Sequence, residues 1–301
     1  MTTLAITGGT GFVGSHLIDL ALAEGHQVRA LTRRPQAECG GLVWIAGALD
    51  APDALAELVR GADAVIHVAG VVNATDRTGF AAGNIEGTRA MLAATEREGV
   101  RRFVQVSSLT AREPGISDYG WSKAEADALV MASPLDWTIV RPPAIFGPRD
   151  TEMLDLFRFA KRHIVPLPSA GGRMSAIYVG DLTRLLLTLA NGDALRHAIT
   201  EPDDGTPGGW DHRDFAHAIG KAMGTRVFPL PLSRPVLDTV SAADRALRGK
   251  NAKLTHDRVR YFCHPDWVSH DRPPEEIWRP AFETKAALAE TVAWYRAKGL
   301  L

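Results

Sequence analysis

The chain has 301 residues, of which 46% are hydrophobic and 23% charged, and its formal net charge is −1. Such a chain can bury a large core, as one domain or as one domain with a smaller lobe, and it carries no bulk field that would favour nucleic acid or an anionic membrane. Cys39 and Cys263 are its only cysteines and form neither a disulfide framework nor a CxxC metal site; the N-terminus reads as a strand rather than a signal segment, and the longest apolar run, around Leu185–Ala190, is too short to span a bilayer, so a cytoplasmic location is expected.

Leu4-Ala5-Ile6-Thr7 is a short apolar run that predicts a buried strand. Gly8, Gly11 and Gly14 follow in a tight turn, and Ser15–Glu24 reads as a helix. A strand, a glycine turn and a helix N-terminus in that order bring backbone N–H groups up to a phosphate, so Gly8, Gly11, Phe12, Val13 and Gly14 are candidate dinucleotide-binding residues. Further apolar runs at Gln27–Leu31, Leu42–Ile45, Ala64–Val68, Phe103–Val106 and Trp137–Val140 alternate with helical stretches at Ala51–Arg60, Asn84–Glu98 and Ser122–Ser133. This alternation predicts an α/β fold, a Rossmann-type doubly wound parallel sheet with helices on both faces.

The ends of these strands carry the chemistry. After the second comes Thr32, where an NAD-binding chain usually offers a carboxylate to the ribose 2′-OH. Arg33 and Arg34 follow and suit a 2′-phosphate, which points to NADP(H) over NAD(H). Ala48 and Leu49, after the third strand, would line the adenine, and Asp50 reads as the N-cap of the next helix. His67, beside an apolar strand, reads as a satisfied core residue; Val68, Ala69 and Gly70 after it are small enough for close approach to a cofactor. The strand ending at Val106 delivers Ser107 and Ser108 to the sheet edge where ligands bind. Tyr119 follows, and Lys123 lies one helical turn beyond it. An ammonium there favours the ionised phenol, lowering a pKa that starts near ~10, so that Tyr119 can exchange a proton with a carbinol oxygen.

Five segments in order, Thr7–Gly14, His67–Gly70, Ser107-Ser108, Tyr119-Gly-Trp-Ser-Lys123 and Arg141–Pro148, with a looser sixth at Ile177–Leu182, resemble the extended short-chain dehydrogenase/reductases of the NAD(P)-dependent epimerase/dehydratase group. The resemblance implies that Tyr119 is the acid/base, Lys123 its partner and ribose ligand, and Ser108, with Ser107 as the alternative, the third member of the triad. It also implies that Pro142, Ala144 and Ile145 pack near the nicotinamide amide. Asn84 matches an asparagine that supports the active-site backbone in that family; it also reads as an ordinary helix N-cap. The family often has Asp where Ala48 stands, Tyr at Phe146 and His at Tyr178, so the adenine contact and the pocket walls depart from its pattern.

Thr151–Arg162 is amphipathic and predicts a helix, a packed one or a wall of the substrate pocket. Pro166, Pro168, Gly171 and Gly172 mark a loop, a possible lid. Residues 1–150, with 176–200 returning, are expected to form the dinucleotide-binding domain, and 151–175 with 201–301 a small, mostly helical substrate lobe ending in a helix at Lys285–Tyr295. Cys263, His264 and His270 are irregularly spaced and no metal site is expected; Trp267, Trp278 and Trp294 read as packing anchors. The expected activity is NADP(H)-dependent hydride transfer to or from a carbonyl or secondary alcohol of a small molecule, with a homodimer as the expected assembly. The alternatives are a nucleotide-sugar epimerase or dehydratase with tightly held NAD(P), and a non-catalytic NADPH-binding assembly subunit.

Overall fold

The structure, a computed structural model, describes residues 1–168, 171–249 and 252–301. Strands β1 (Thr3–Thr7), β2 (Gln27–Thr32), β3 (Leu42–Ala46), β4 (Ala64–His67), β5 (Arg102–Val106) and β6 (Asp136–Val140) join with Ala198–Thr200 in one sheet. Every pairing in it is parallel. From one edge the order is Ala198–Thr200, β6, β5, β4, β1, β2, β3. The direction of winding therefore reverses between β1 and β4, and the crevice at their carboxyl ends is where this topology takes ligands.

Helices α1 (Phe12–Ala23), α2 (Pro52–Val59), the short α3 (Arg77–Phe80), α4 (Gly87–Arg97) and α5 (Asp118–Met131) connect these strands. Leu55, Leu58 and Val59 of α2, Met91 and Leu92 of α4 and Val130 of α5 pack with Ala5, Val65, Phe103 and Ile139 of the sheet. Leu4, Ile6, Ile66 and Val104 alternate with those strand residues and are buried as well, so both faces are covered, as the continuous apolar runs require. β3 is an edge strand, and its Val43 is exposed.

The chain divides into two compact units. Residues 1–141, 182–201 and 273–278 form the first; residues 142–181, 202–272 and 279–301 form the second. The division falls after Arg141 rather than after residue 150, because Ala144–Phe146 leaves the large sheet and pairs with Ala176–Tyr178 inside the second unit. That unit holds helices at Leu154–Ala160, His212–Met223, Arg234–Arg248, His256–Phe262 and Thr284–Ala297, together with short strands. Asp203 is its polar hub, accepting from both Arg272 Nε and Nη2 at 2.7 Å and from Ser175 Oγ at 2.7 Å.

Several local expectations are corrected. Ala51, not Asp50, occupies the N-cap of α2, and no side chain caps that helix. Thr151–Arg162 is helical only over Leu154–Ala160. The Asp150 carboxylate accepts from Glu152 N and Met153 N and holds the preceding residues in a turn. Pro166 and Pro168 lie in a strand, Ile164–Pro168, paired in parallel with Phe228–Leu232, rather than in a loop. Ser169 and Ala170, inside the expected lid, lie outside the described residues.

Candidate active site

The glycine turn has a backbone only glycine can supply. Gly8 sits at φ +71°, and a Cβ there would lie 2.8 Å from Ala69 N. A Cβ on Gly14 would overlap the Gly8 carbonyl. These close approaches seat the start of α1 against the exits of β1 and β4. Gly11 is the N-cap of α1, so no side chain satisfies the first amides of the helix. An uncapped helix N-terminus at a glycine turn fits a dinucleotide pyrophosphate, with Phe12, Val13 and Gly14 carrying the open N–H groups. On β2, Thr32 Oγ1 donates to Arg34 O at 2.7 Å and so closes a tight turn. Arg33 and Arg34 both project outward, and neither forms an ion pair among the described residues. Ala48 is half-buried. The half-buried Leu49 side chain packs over Gly87 at the start of α4.

At the exit of β4, His67 is fully buried between Thr7 Oγ1 at 2.7 Å and Thr88 Oγ1 at 3.3 Å. Burial, and next the nearby Lys123 charge, push its pKa down to about 3. His67 is thus a neutral core residue, as its setting in the sequence indicates. Thr7 Oγ1 also accepts from Ala69 N at 3.1 Å. Val68 and Ala69 are half-buried and Gly70 is exposed. A Cβ on Gly70 would stand 3.0 Å from Asn84 Oδ1 and 3.3 Å from Lys123 Nζ, so this glycine lies directly beside the buried amine.

Asn84 is not a helix cap. It lies within a π-helical turn, Ala81–Glu86, that precedes α4. It is buried; its Oδ1 accepts from Val71 N at 2.7 Å, and its Nδ2 donates to Val71 O at 3.0 Å and to Ser122 Oγ at 2.9 Å. One side chain thus ties the strand exit after Gly70 to α5.

Helix α5 begins at Asp118, four residues before the expected start. Ser117 caps it, accepting from Gly120 N at 2.9 Å. Tyr119 therefore stands in its first turn and Lys123 in the next, on one face. The Tyr119 ring is half-buried and packs on Phe80, with ring centroids 5.9 Å apart. Lys123 is buried and donates to Val106 O at 2.9 Å, which fixes the ammonium at the carboxyl end of β5. Burial pushes its pKa down to about 8, against the opposing pull of Asp127 one turn further on.

Asp127 is itself buried and bound by Arg141 Nε at 2.9 Å. Burial raises its pKa while Arg141 and then the adjacent Ser107 hydroxyl hold it down. The pleat separates the two serines. Ser107 turns inward toward Asp127 and is sealed from solvent. Ser108 is half-buried and caps the single 3₁₀ turn Leu109–Arg112, accepting from Thr110 N at 3.2 Å and Thr110 Oγ1 at 2.9 Å. Pro142, Ala144 and Ile145 belong to the second unit. The Asp127–Arg141 pair is not evident from the sequence, where the one-turn spacing of Lys123 and Asp127 is its only signal. His264 and His270 pair with Trp267 and Asp266 respectively, and Trp278 is buried.

A parallel sheet of this order with an uncapped glycine turn at its reversal point defines a dinucleotide-binding enzyme of the Rossmann class. Comparison with known proteins narrows this. A family described as NAD(P)H-binding matches residues 8–155. The ceramide reductase of Caulobacter vibrioides is 34% identical, over 99% of this chain and 96% of its own length. Sterol demethylase protein B of Methylococcus capsulatus is 28% identical over the whole of both chains. Among solved structures, MoeE5 in complex with UDP-glucose and NAD superposes with a TM-score of 0.76 at 20% identity, covering 99% of each chain, a likeness of fold. The chain belongs to the extended short-chain dehydrogenase/reductases and is an NAD(P)-dependent oxidoreductase.

Proposed function

We propose that this protein is an NADPH-dependent reductase of a ketone carried on a hydrophobic, lipid-like molecule. The observation that carries the reading is the buried Lys123 ammonium, held at Val106 O, one turn from Tyr119 and beside Gly70. Bound NADPH supplies the hydride to the carbonyl carbon. Tyr119 delivers its phenolic proton to the carbonyl oxygen, completing the alcohol. Ser108 accepts two hydrogen bonds from Thr110 and keeps its own O–H free to hold that oxygen. Lys123 stabilises the phenolate left behind and holds the ribose.

Preference for NADPH is supported by Thr32 in the place of an acid and by the two outward arginines after it. The lipid character of the substrate is supported by the names of the ceramide and sterol enzymes, which align with nearly the whole chain.

Replacing Tyr119 by Phe is expected to lower kcat about 10²–10⁴-fold while leaving NADPH affinity intact, read by single-turnover absorbance and by titration. Unchanged turnover would remove Tyr119 as proton donor. Stoichiometric NADPH oxidation with product separates this reading from an epimerase, which returns its hydride and consumes no reductant.

A further inference from the structure

Between β2 and β3 the chain leaves the sheet over residues 33–41, and Arg33 and Arg34 stand at the start of that loop. Every residue from 33 to 40 is exposed, so burial contributes little to fixing its course. Its two ends are held locally. Thr32 Oγ1 accepts from Arg34 N at 3.2 Å and donates to Arg34 O at 2.7 Å, and Leu42 N donates to Cys39 O at 3.0 Å. The middle is held from the sheet. Trp44 Nε1, on β3, donates to Ala37 O at 3.2 Å, and among the described residues this is the hydrogen bond that reaches residues 35–38 from outside the loop.

The other edge of the same ring reaches the glycine turn. Trp44 is level with Ala30 of β2 in the parallel register, so both side chains leave the sheet on one face. Ala30 is small enough to let the indole past it. A Cβ built on Gly9 would stand 3.2 Å from Ala30 Cβ and 3.4 Å from Trp44 Cζ3, with Ile18 Cδ1 of α1 nearer still at 2.7 Å. Nε1 and Cζ3 lie at opposite ends of one planar, rigid indole. A single half-buried side chain therefore spans from the turn that fits a pyrophosphate to the loop that carries the two arginines. Ordering an exposed loop at the moment of binding costs affinity, and a loop already tethered avoids that cost.

We propose that Trp44 is a positioning residue for NADPH selectivity, its indole holding the loop of Arg33 and Arg34 at a fixed place beside the glycine turn so that the arginines are preset for a 2′-phosphate. The proposal rests on the NADPH preference proposed above. The probes are 2′,5′-ADP and 5′-AMP, which differ by the 2′-phosphate alone, titrated calorimetrically into the full chain. The wild type is expected to bind 2′,5′-ADP more tightly. Trp44→Phe keeps an aromatic ring on the strand and removes the N–H. It is expected to weaken 2′,5′-ADP about three- to tenfold, the worth of one hydrogen bond, and to change 5′-AMP by less than about twofold. In a chain that already carries Arg33→Ala and Arg34→Ala, the same substitution should move neither affinity, because nothing is left for the indole to position.

An unchanged ratio of the two affinities in Trp44→Phe overturns the proposal and leaves the NADPH preference standing. Equal weakening of both nucleotides overturns it as well, since Trp44 would then serve the adenine or the fold. So does a selective loss that persists once the arginines are gone. A wild type that binds the two nucleotides alike removes the NADPH preference, and the proposal with it.

Discussion

In the proposed mechanism Lys123 sets the pH range in which the site works. Burial brings its pKa down to about 8, so the ammonium is present below that pH and lost above it. In that mechanism the Tyr119 phenol is the proton donor, so reduction needs its protonated form. Both groups therefore favour the low side, and kcat/KM for ketone reduction is expected to decline above about pH 8. Asp127 opposes the desolvation of Lys123, and Arg141 favours the charged form of Asp127 against the upward push of burial. Asp127→Asn removes that support and is expected to move the alkaline limb down by about one pH unit. A pH–rate profile that the variant leaves in place would show Asp127 to be structural only. The candidate triad was readable as residue types at spacings; the choice between Ser107 and Ser108 was not, because adjacent strand residues look alike in sequence and only the pleat sends one inward.

Elements were legible where their pattern is local. The parallel strands stand out as apolar runs and the helices between them as 3.6-residue periods, and both are present. Features set by single hydrogen bonds were harder to read. The true start of α5 is hidden in the sequence because Asp118-Tyr119-Gly120 lacks an apolar period, although Ser117 caps it. The π-helical turn Ala81–Glu86 keeps the composition of an ordinary helix and leaves no sequence trace. Its role is testable through Asn84. Asn84→Ala would leave the half-buried Val71 N and Val71 O without this partner and cut the tie to Ser122. A loss of about 2–4 kcal/mol in urea unfolding is expected. Because Val71 follows Gly70, dinucleotide affinity should fall with it, whereas a cap role would cost stability alone. Asn84→Asp, which keeps the acceptor for Val71 N, should recover part of both.

At the scale of the whole chain, the large sheet was legible and the second unit was not. Its pairings, such as Ile164–Pro168 with Phe228–Leu232, join segments some sixty residues apart and contain prolines that lack donors, so each reads as a loop when taken singly. The cofactor couples the first unit's surface to its stability, since a ligand that binds only the folded chain stabilises it in proportion to the logarithm of its affinity. Arg33 and Arg34 make no ion pair among the described residues, so removing them should cost the protein without ligand almost nothing. With NADPH present, a guanidinium–phosphate contact is worth about 1.5–3 kcal/mol. Arg33→Ala with Arg34→Ala is therefore expected to weaken NADPH about tenfold or more by calorimetric titration, to leave NADH affinity nearly unchanged, and to lose at least about 1.4 kcal/mol of NADPH-induced stabilisation at fixed ligand concentration. Equal losses for both dinucleotides would mean that the arginines shape the turn after β2 rather than read the 2′-phosphate, and the preference would then have to originate elsewhere in the crevice.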